Sequence, residues 1–102
     1  MPTKAKKLPP IHPGQVLKTV LEDAGITANT LALSLRIPAN RLTEIINGRR
    51  SLSADTALRL ARFFGTSAQM WMNLQAKYDL DSAEDALADR IEAEVRPIKR
   101  AS

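Results

Sequence analysis

Apolar residues recur along this chain at intervals of three and four positions, which is the period of an amphipathic α-helix. No segment shows the alternation of apolar and polar residues that is typical of a half-buried β-strand. Five stripes precede residue 80: Val16, Leu17, Val20, Leu21 and Ala24; Leu31, Ala32 and Leu35; Leu42, Ile45 and Ile46; Ala57, Leu58, Ala61 and Phe64; and Met70, Trp71, Leu74 and Tyr78. A sixth comprises Ala83, Leu87, Ile91 and Val95. The pattern predicts an all-α fold, a compact bundle of five or six helices.

Residues that favour helix ends stand at the boundaries of these stripes. Glycines follow three of them, at Gly25, Gly48 and Gly65, as expected for helix C-termini. The candidate N-caps are His12, Thr27, Ser53 and Ser67, and Pro38 opens the third helix. Asp81 and Glu84 form an aspartate version of the capping box, which predicts a separate last helix that begins at Asp81 and ends before Pro97.

The segment Ala28–Asn47, ANTLALSLRIPANRLTEIIN, has the spacing of two short helices joined by a tight turn. Such a pair needs a small residue where the helices approach most closely, and apolar residues that hold their crossing angle. The small residue is Ala32, and the apolar positions at the required offsets are Leu31, Leu35, Ile37, Leu42 and Ile45. The segment therefore predicts a lambda-repressor-like helix-turn-helix, a motif that binds DNA.

Two positions depart from the usual motif. Arg36 stands in the turn where glycine is common, and a positive φ there would cost on the order of 1 kcal/mol. Its basic side chain could in return contact a DNA phosphate. Ala28 occupies the first position, where related repressors often have a glutamine that contacts the DNA backbone, so one phosphate contact is missing.

The second helix of the motif, Pro38–Asn47, is expected to lie in the major groove of DNA. Its outward residues are Ala39, Asn40, Arg41, Thr43, Glu44 and Asn47. Asn40 is suited to adenine, Arg41 to guanine or phosphate, and Ala39 and Thr43 to thymine methyl groups. Glu44 would repel phosphate unless it accepts a hydrogen bond from cytosine or pairs with an arginine.

Arg49 and Arg50 follow this helix and are placed for phosphate contacts that position the protein without specifying sequence. With Arg36, they complete the candidate DNA-binding set. A solvated helix face explains such polar residues on an isolated helix, but within this motif we favour DNA binding.

Composition narrows the class of protein. The chain has 102 residues, no cysteine, one histidine and a formal net charge of +4. Residues 1–50 carry eight basic and three acidic residues, whereas residues 76–102 carry five basic and seven acidic residues. One surface is therefore suited to an anionic partner. The sequence has no secretory signal or membrane-spanning run. It also has no nucleophile–base set, metal-ligand spacing or glycine-rich phosphate loop, so we expect neither an enzyme nor a cofactor or metal.

Three segments resemble the HigA-type antitoxins of bacterial toxin–antitoxin systems, within the phage-repressor-like (XRE) helix-turn-helix family. They are IHPGQVL (Ile11–Leu17), IPANRLTEIINGRR (Ile37–Arg50) and ADTALRLARFFGTSAQMWMNLQAKYDL (Ala54–Leu80). The resemblance implies a dimer that represses its own operon by binding double-stranded operator DNA. It also implies that the chain neutralises a small co-encoded toxin that cleaves mRNA. A solitary transcriptional regulator without a toxin is the alternative, and a purely structural interaction module is a further one.

These expectations divide the chain into four parts. Residues 1–10 form a flexible basic tail, residues 11–80 a DNA-binding domain, residues 81–97 a C-terminal helix and residues 98–102 a second tail. The C-terminal helix is expected to contribute to the dimer, although packing against its own domain explains its apolar stripe nearly as well. The expected location is the cytoplasm, with the protein on the nucleoid when it is bound to DNA.

Overall fold

The structure, a computed structural model, describes residues 8–99. Within this range it consists of five α-helices and no strand, which confirms the all-α prediction. The helices are α1 (Pro13–Ala24), α2 (Ala28–Leu35), α3 (Ala39–Ile46), α4 (Ala54–Phe64) and α5 (Ala68–Glu94). The predicted tails, residues 1–10 and 98–102, lie largely outside the described residues.

Four helices begin at the caps that the sequence predicts. The His12 ring accepts a hydrogen bond at Nδ1 from the Gly14 N–H over 2.9 Å. The side chains of Thr27, Ser53 and Ser67 accept from backbone N–H groups in the first turns of α2, α4 and α5. Each contact satisfies one of the N–H groups that a helix N-terminus leaves without an internal partner. Local chemistry therefore accounts for where these helices start.

The core lies where the first four helices meet the first three turns of α5. Its members are Leu17, Leu21, Leu31, Ala32, Leu35, Ile37, Leu42, Ile45, Leu52, Ala57, Leu60 and Trp71. Trp71 is 1% exposed, and its indole Nε1 donates to Thr66 Oγ1 over 3.0 Å. The indole therefore fills the centre without leaving its polar atom unpaired. Leu58 is an exception to the predicted stripes, because 63% of its surface is exposed.

The prediction of a separate helix beginning at Asp81 is wrong. Helix α5 runs without interruption for 27 residues, or about 40 Å at 1.5 Å per residue. Asp81 accepts a hydrogen bond from Lys77 Nζ over 3.1 Å, one turn earlier, and so forms a side-chain pair within the helix. No glycine or proline stands between Ala68 and Glu94 to break the helix. The predicted domain boundary at residues 80 and 81 therefore falls inside a continuous element.

The apolar face of α5 changes sides along the helix. Trp71 and Gln75 point into the core, whereas Leu80, Leu87 and Ile91 are 70%, 39% and 49% exposed. At 100° per residue, these three lie roughly 160–180° around the helix axis from Trp71. The second half of α5 extends beyond the bundle and contributes to the elongated dimensions of 55 × 30 × 21 Å. Its apolar side chains are thus not covered by the other helices of the described chain.

Candidate DNA-binding surface

Helices α2 and α3 form the predicted helix-turn-helix, and Arg36 makes its turn. Arg36 has φ 61° and ψ 43°, the left-handed conformation expected at this position. The Ile37 N–H then donates to the Ala32 carbonyl over 3.1 Å, which closes the end of α2. The conformation costs on the order of 1 kcal/mol for a residue with a Cβ atom. The Arg36 side chain is left exposed beside the turn.

Helix α3 packs on the core through its buried face and contacts α1 at its C-terminal end. Leu42 and Ile45 are at most 1% exposed. A Cβ atom at Gly14 would lie only 2.9 Å from the Ile45 carbonyl carbon and from the Ile46 carbonyl oxygen. Helix α1 therefore approaches the end of α3 backbone to backbone, which only glycine allows at this position. The sequence placed Gly14 within the opening IHPGQVL but did not predict this role.

The exposed edge of α3 carries four of the predicted site residues. Asn40, Thr43 and Asn47 follow one another at helical spacing on this edge, and Ala39 precedes them at the N-terminus. The structure thus brings these four residues together on one exposed, mainly polar surface of the second helix of the motif. This surface has the width of a single helix, which is what the major groove of B-DNA admits.

Arg41 differs from the other predicted residues, because its side chain turns away from this edge towards α4. Its Nη2 donates to Asp55 Oδ2 over 2.9 Å and to Thr56 Oγ1 over 3.0 Å. Only 28% of the Arg41 side chain is exposed. The Arg41 side chain therefore lies against α4 and does not point outward from α3 as expected. The cause is a contact between residues 14 positions apart, which the local pattern does not reveal.

Asp55 is the centre of this network and was not predicted. It also accepts from Arg59 Nε over 3.1 Å, and Arg59 Nη1 donates in turn to the Leu35 carbonyl over 2.9 Å. Hydrogen bonds from Arg41 and then from Arg59 lower the pKa of the Asp55 carboxyl below its ordinary value. The network connects the end of α2, the flank of α3 and the start of α4.

Glu44 pairs with an arginine, one of the two arrangements that the sequence left open. Its Oε1 accepts from Arg50 Nε over 2.7 Å. The pair neutralises a carboxylate that would otherwise repel phosphate next to the recognition edge. Arg50 is consequently directed towards α3, and both Arg50 and Arg49 remain exposed to solvent.

The loop that carries Arg49 and Arg50 is fastened to α5 by a buried glutamine. Gln75 Oε1 accepts from the Leu52 N–H over 2.7 Å, and its Nε2 donates to Asp79 Oδ1 over 2.8 Å. Gln75 is 4% exposed, so these bonds replace those it would make with water. The sequence does not reveal the role of Gln75, because a polar glutamine near a helical stripe gives no sign of which side it faces.

Other chemistry is sparse in the described part of the chain. Residues 8–99 contain no group of three or more His, Cys, Asp or Glu side chains that could hold a metal ion. None of the helices there is long and apolar enough to cross a membrane. The only histidine of the sequence, His12, caps α1 and contacts the Tyr78 ring edge-on, with 4.8 Å between the ring centres. The absence of a cofactor and of enzymatic activity stays a prediction.

Comparison with known proteins identifies the family. A family model described as helix-turn-helix matches residues 17–71. A solved addiction module antidote protein of the HigA family from Coxiella burnetii is 49% identical, with a TM-score of 0.84 over 89% of this chain and 100% of that one. The chain belongs to the HigA family of helix-turn-helix proteins.

Two further relatives extend this comparison. Virulence-associated protein I of Dichelobacter nodosus is 44% identical over 85 residues, which are 82% of this chain and 79% of the relative. Antitoxin HigA of Pseudomonas aeruginosa, solved with the higBA promoter, is 43% identical with a TM-score of 0.85, over 88% of this chain and 99% of that one. The HigA resemblance predicted from the three sequence segments is confirmed.

Proposed function

We propose that this chain is the antitoxin of a toxin–antitoxin module and represses its own operon as a dimer. The observation that carries the proposal is the exposed edge of α3 in a fold that matches a HigA antitoxin solved with promoter DNA. The polar side chains of this edge are not used by the core. In addition, the apolar residues of the helix-turn-helix are buried, which holds the recognition helix α3 in place.

In the proposed complex, α3 enters the major groove. Asn40 is the candidate for a paired hydrogen bond to adenine, because its amide both donates and accepts. Ala39 and the Thr43 methyl group would contact thymine methyl groups, and Asn47 would act near the end of the helix. The exposed guanidinium groups of Arg36 and Arg49 would contact phosphates, while Arg50 would first have to leave Glu44.

The DNA-binding proposal is tested by fluorescence anisotropy with a duplex from upstream of the chain's own gene and a scrambled duplex. We expect the upstream duplex to be preferred and to contain half-sites about 10 base pairs apart, or a multiple of that. Asn40→Ala should weaken binding to the upstream duplex by about 5- to 150-fold, equivalent to about 1–3 kcal/mol. Asn73→Ala, at an exposed position on α5, is the matched control. Equal affinity for both duplexes would refute operator recognition.

The second half of α5 is the proposed dimer surface. Leu80, Leu87 and Ile91 form an exposed apolar stripe on the side opposite to the core. Complete burial of one such side chain contributes about 1.5–3 kcal/mol, so pairing of two copies through this stripe would be favourable. A dimer also explains how two recognition helices would reach successive turns of one DNA face.

Sedimentation or native mass spectrometry tests this surface. We expect the unaltered chain to be a dimer and the double variant Leu87→Gln/Ile91→Gln to be a monomer with an intact fold. Leu33→Gln is the control for loss of an exposed apolar side chain, because Leu33 lies on α2, away from this stripe, and is 69% exposed. Persistence of the dimer in the double variant would place the interface elsewhere.

The antitoxin role predicts a small partner protein encoded next to this chain. Expression of that neighbour alone should arrest growth and cleave mRNA, and co-expression of this chain should restore growth. Native mass spectrometry should show the two proteins in a complex of fixed stoichiometry. Both activities would take place in the cytoplasm, where the operon and its transcripts are. A harmless neighbour that forms no complex would favour the solitary regulator and leave the DNA proposal intact.

A further inference from the structure

The position of Arg41 is unexpected for a basic residue on a recognition helix. An arginine there is suited to a phosphate or a guanine, since the planar guanidinium donates paired hydrogen bonds to either acceptor. Instead, its Nη2 is occupied by a carboxylate oxygen of Asp55 and by the Thr56 hydroxyl, at 2.9 and 3.0 Å. These contacts hold the side chain along the flank of α3 and against α4.

The carboxylate of Asp55 resembles a DNA phosphate in the features that matter to a guanidinium. Both are anions with oxygen atoms that accept short, charge-assisted hydrogen bonds. The Asp55 carboxyl is ionised at neutral pH even at its ordinary pKa, and the hydrogen bonds from Arg41 and Arg59 lower that pKa further. Arg59 does not depend on Asp55 alone, because it also donates to the Leu35 carbonyl. Arg41 keeps the Thr56 hydroxyl as a second acceptor, but Asp55 is its only charged partner in the described structure. Of the two arginines, Arg41 is the one that lies on the recognition helix, so weakening its hold on the protein is what matters for DNA.

We propose that Asp55 is a specificity-determining positioning residue that competes with DNA phosphate for Arg41. The inference rests on the proposed operator binding by α3. Phosphate contacts are independent of sequence and supply essentially all of non-specific binding. Because Asp55 holds Arg41 on the protein, Arg41 does not contact a phosphate of random DNA, and the affinity for random DNA is lower.

The same contact also acts on the specific complex. The Arg41–Asp55 pair joins α3 to the first turn of α4, and so restrains the tilt of the helix that carries Asn40. Base contacts depend on this tilt more strongly than phosphate contacts do, because base edges are read by directed hydrogen bonds. Loss of Asp55 thus increases binding to random DNA and decreases the advantage of the operator. Both effects lower the ratio of the two affinities.

The primary experiment measures binding of the full chain to a random-sequence 20-base-pair duplex at 50 and 200 mM salt. Each added phosphate contact makes the slope of log K against log[salt] steeper by about 0.9. Lowering the salt from 200 to 50 mM should therefore raise the affinity about 3.5-fold more than it does for the unaltered chain. We expect this increase in Asp55→Asn. We also expect its preference for the upstream duplex over the random duplex to fall. Asp23→Asn, which removes an exposed carboxylate from the end of α1, is the control for the change in net charge.

A second set of variants shows whether Asp55 acts through Arg41. If Asp55 acts through Arg41, the steeper salt dependence of Asp55→Asn requires an arginine at position 41. The double variant Asp55→Asn/Arg41→Gln should lose the increase seen in Asp55→Asn. Arg49→Gln should instead flatten the salt dependence by about 0.9, because Arg49 is exposed and not in this network.

The outcomes separate this inference from the proposed function. If the unaltered chain does not prefer its upstream duplex, operator binding itself fails. If it does, but Asp55→Asn changes neither the salt dependence nor the preference, Asp55 does not compete for Arg41. An equal loss of affinity for all duplexes in Asp55→Asn would likewise overturn the inference and leave the pair as a structural link only. Thermal unfolding of each variant confirms that folded protein is compared.

Discussion

Replacement of Gly14 by alanine is the most direct test of how the recognition helix is positioned. Gly14 lies in the first turn of α1, where a simple helix-propensity argument predicts that alanine stabilises by about 0.5–1 kcal/mol. The structure predicts the opposite sign. The added methyl group would be driven into the backbone of α3 at Ile45 and Ile46.

The size of the effect follows from what has to move. The new Cβ would lie 2.9 Å from both the Ile45 carbonyl carbon and the Ile46 carbonyl oxygen, well inside normal contact distance. These atoms belong to the backbone, so no side-chain rotation relieves the overlap, and α1 and α3 must separate. Overpacking of this kind costs about 1–3 kcal/mol and occasionally more. We expect a value near 3 kcal/mol for Gly14→Ala, because the separation also loosens the packing of Leu17 and Ile45.

Urea and thermal unfolding measure this effect. For a domain of this size, about 3 kcal/mol corresponds to a decrease in Tm of roughly 12–24 °C. Gln15→Ala is the matched control, since Gln15 is the next residue of α1 and is exposed. Its stability should remain within about 0.5 kcal/mol of the unaltered chain. A Gly14→Ala variant that is as stable as the original protein, or more stable, would refute the backbone-to-backbone packing of α1 and α3.

Three further predictions concern the turn, the loop and the Asp55 network. Arg36→Gly should stabilise the fold by about 1 kcal/mol in urea unfolding, because glycine adopts the left-handed conformation without strain. The same variant should weaken DNA binding, because it removes a guanidinium group. A loss of stability would contradict the proposed strain at Arg36. Gln75→Met should destabilise by about 1–3 kcal/mol, since the buried Leu52 N–H loses its acceptor, and an unchanged urea midpoint would show that the bond is dispensable. The lowered pKa of Asp55 means that its stabilising effect is present above the ordinary value of 3.8 and is lost as pH falls through the lower folded value. The stability difference between the unaltered chain and Asp55→Asn should therefore be constant near neutral pH and shrink in acid, and a difference that grew in acid would exclude this linkage.

Features whose determinants lie close together in the chain were predicted correctly from the sequence. The caps at His12, Thr27, Ser53 and Ser67 were predicted because each side chain bonds a backbone group two or three positions later. The left-handed turn at Arg36 followed from its place between two helical stripes. The error at Asp81 has a related origin, because Asp81 with Glu84 three positions later suits a helix start, whereas Asp81 with Lys77 four positions earlier suits an ion pair inside a helix. Only the absence of a helix-breaking residue before Asp81 distinguishes an internal position from a helix start.

The sequence by itself determined the helical class, the helix-turn-helix and the residues on its outer edge, since these depend on hydrophobic spacing within single helices. Only the tertiary structure decided which way Arg41 and Gln75 point and why Gly14 must be glycine. Their partners lie 14, 23 and 31 positions away along the chain. Contacts over such distances depend on how whole helices pack, and a local pattern of apolar and polar residues does not encode that geometry in readable form. The same packing places a carboxylate beside the one arginine on the recognition helix and so changes what that helix offers to DNA.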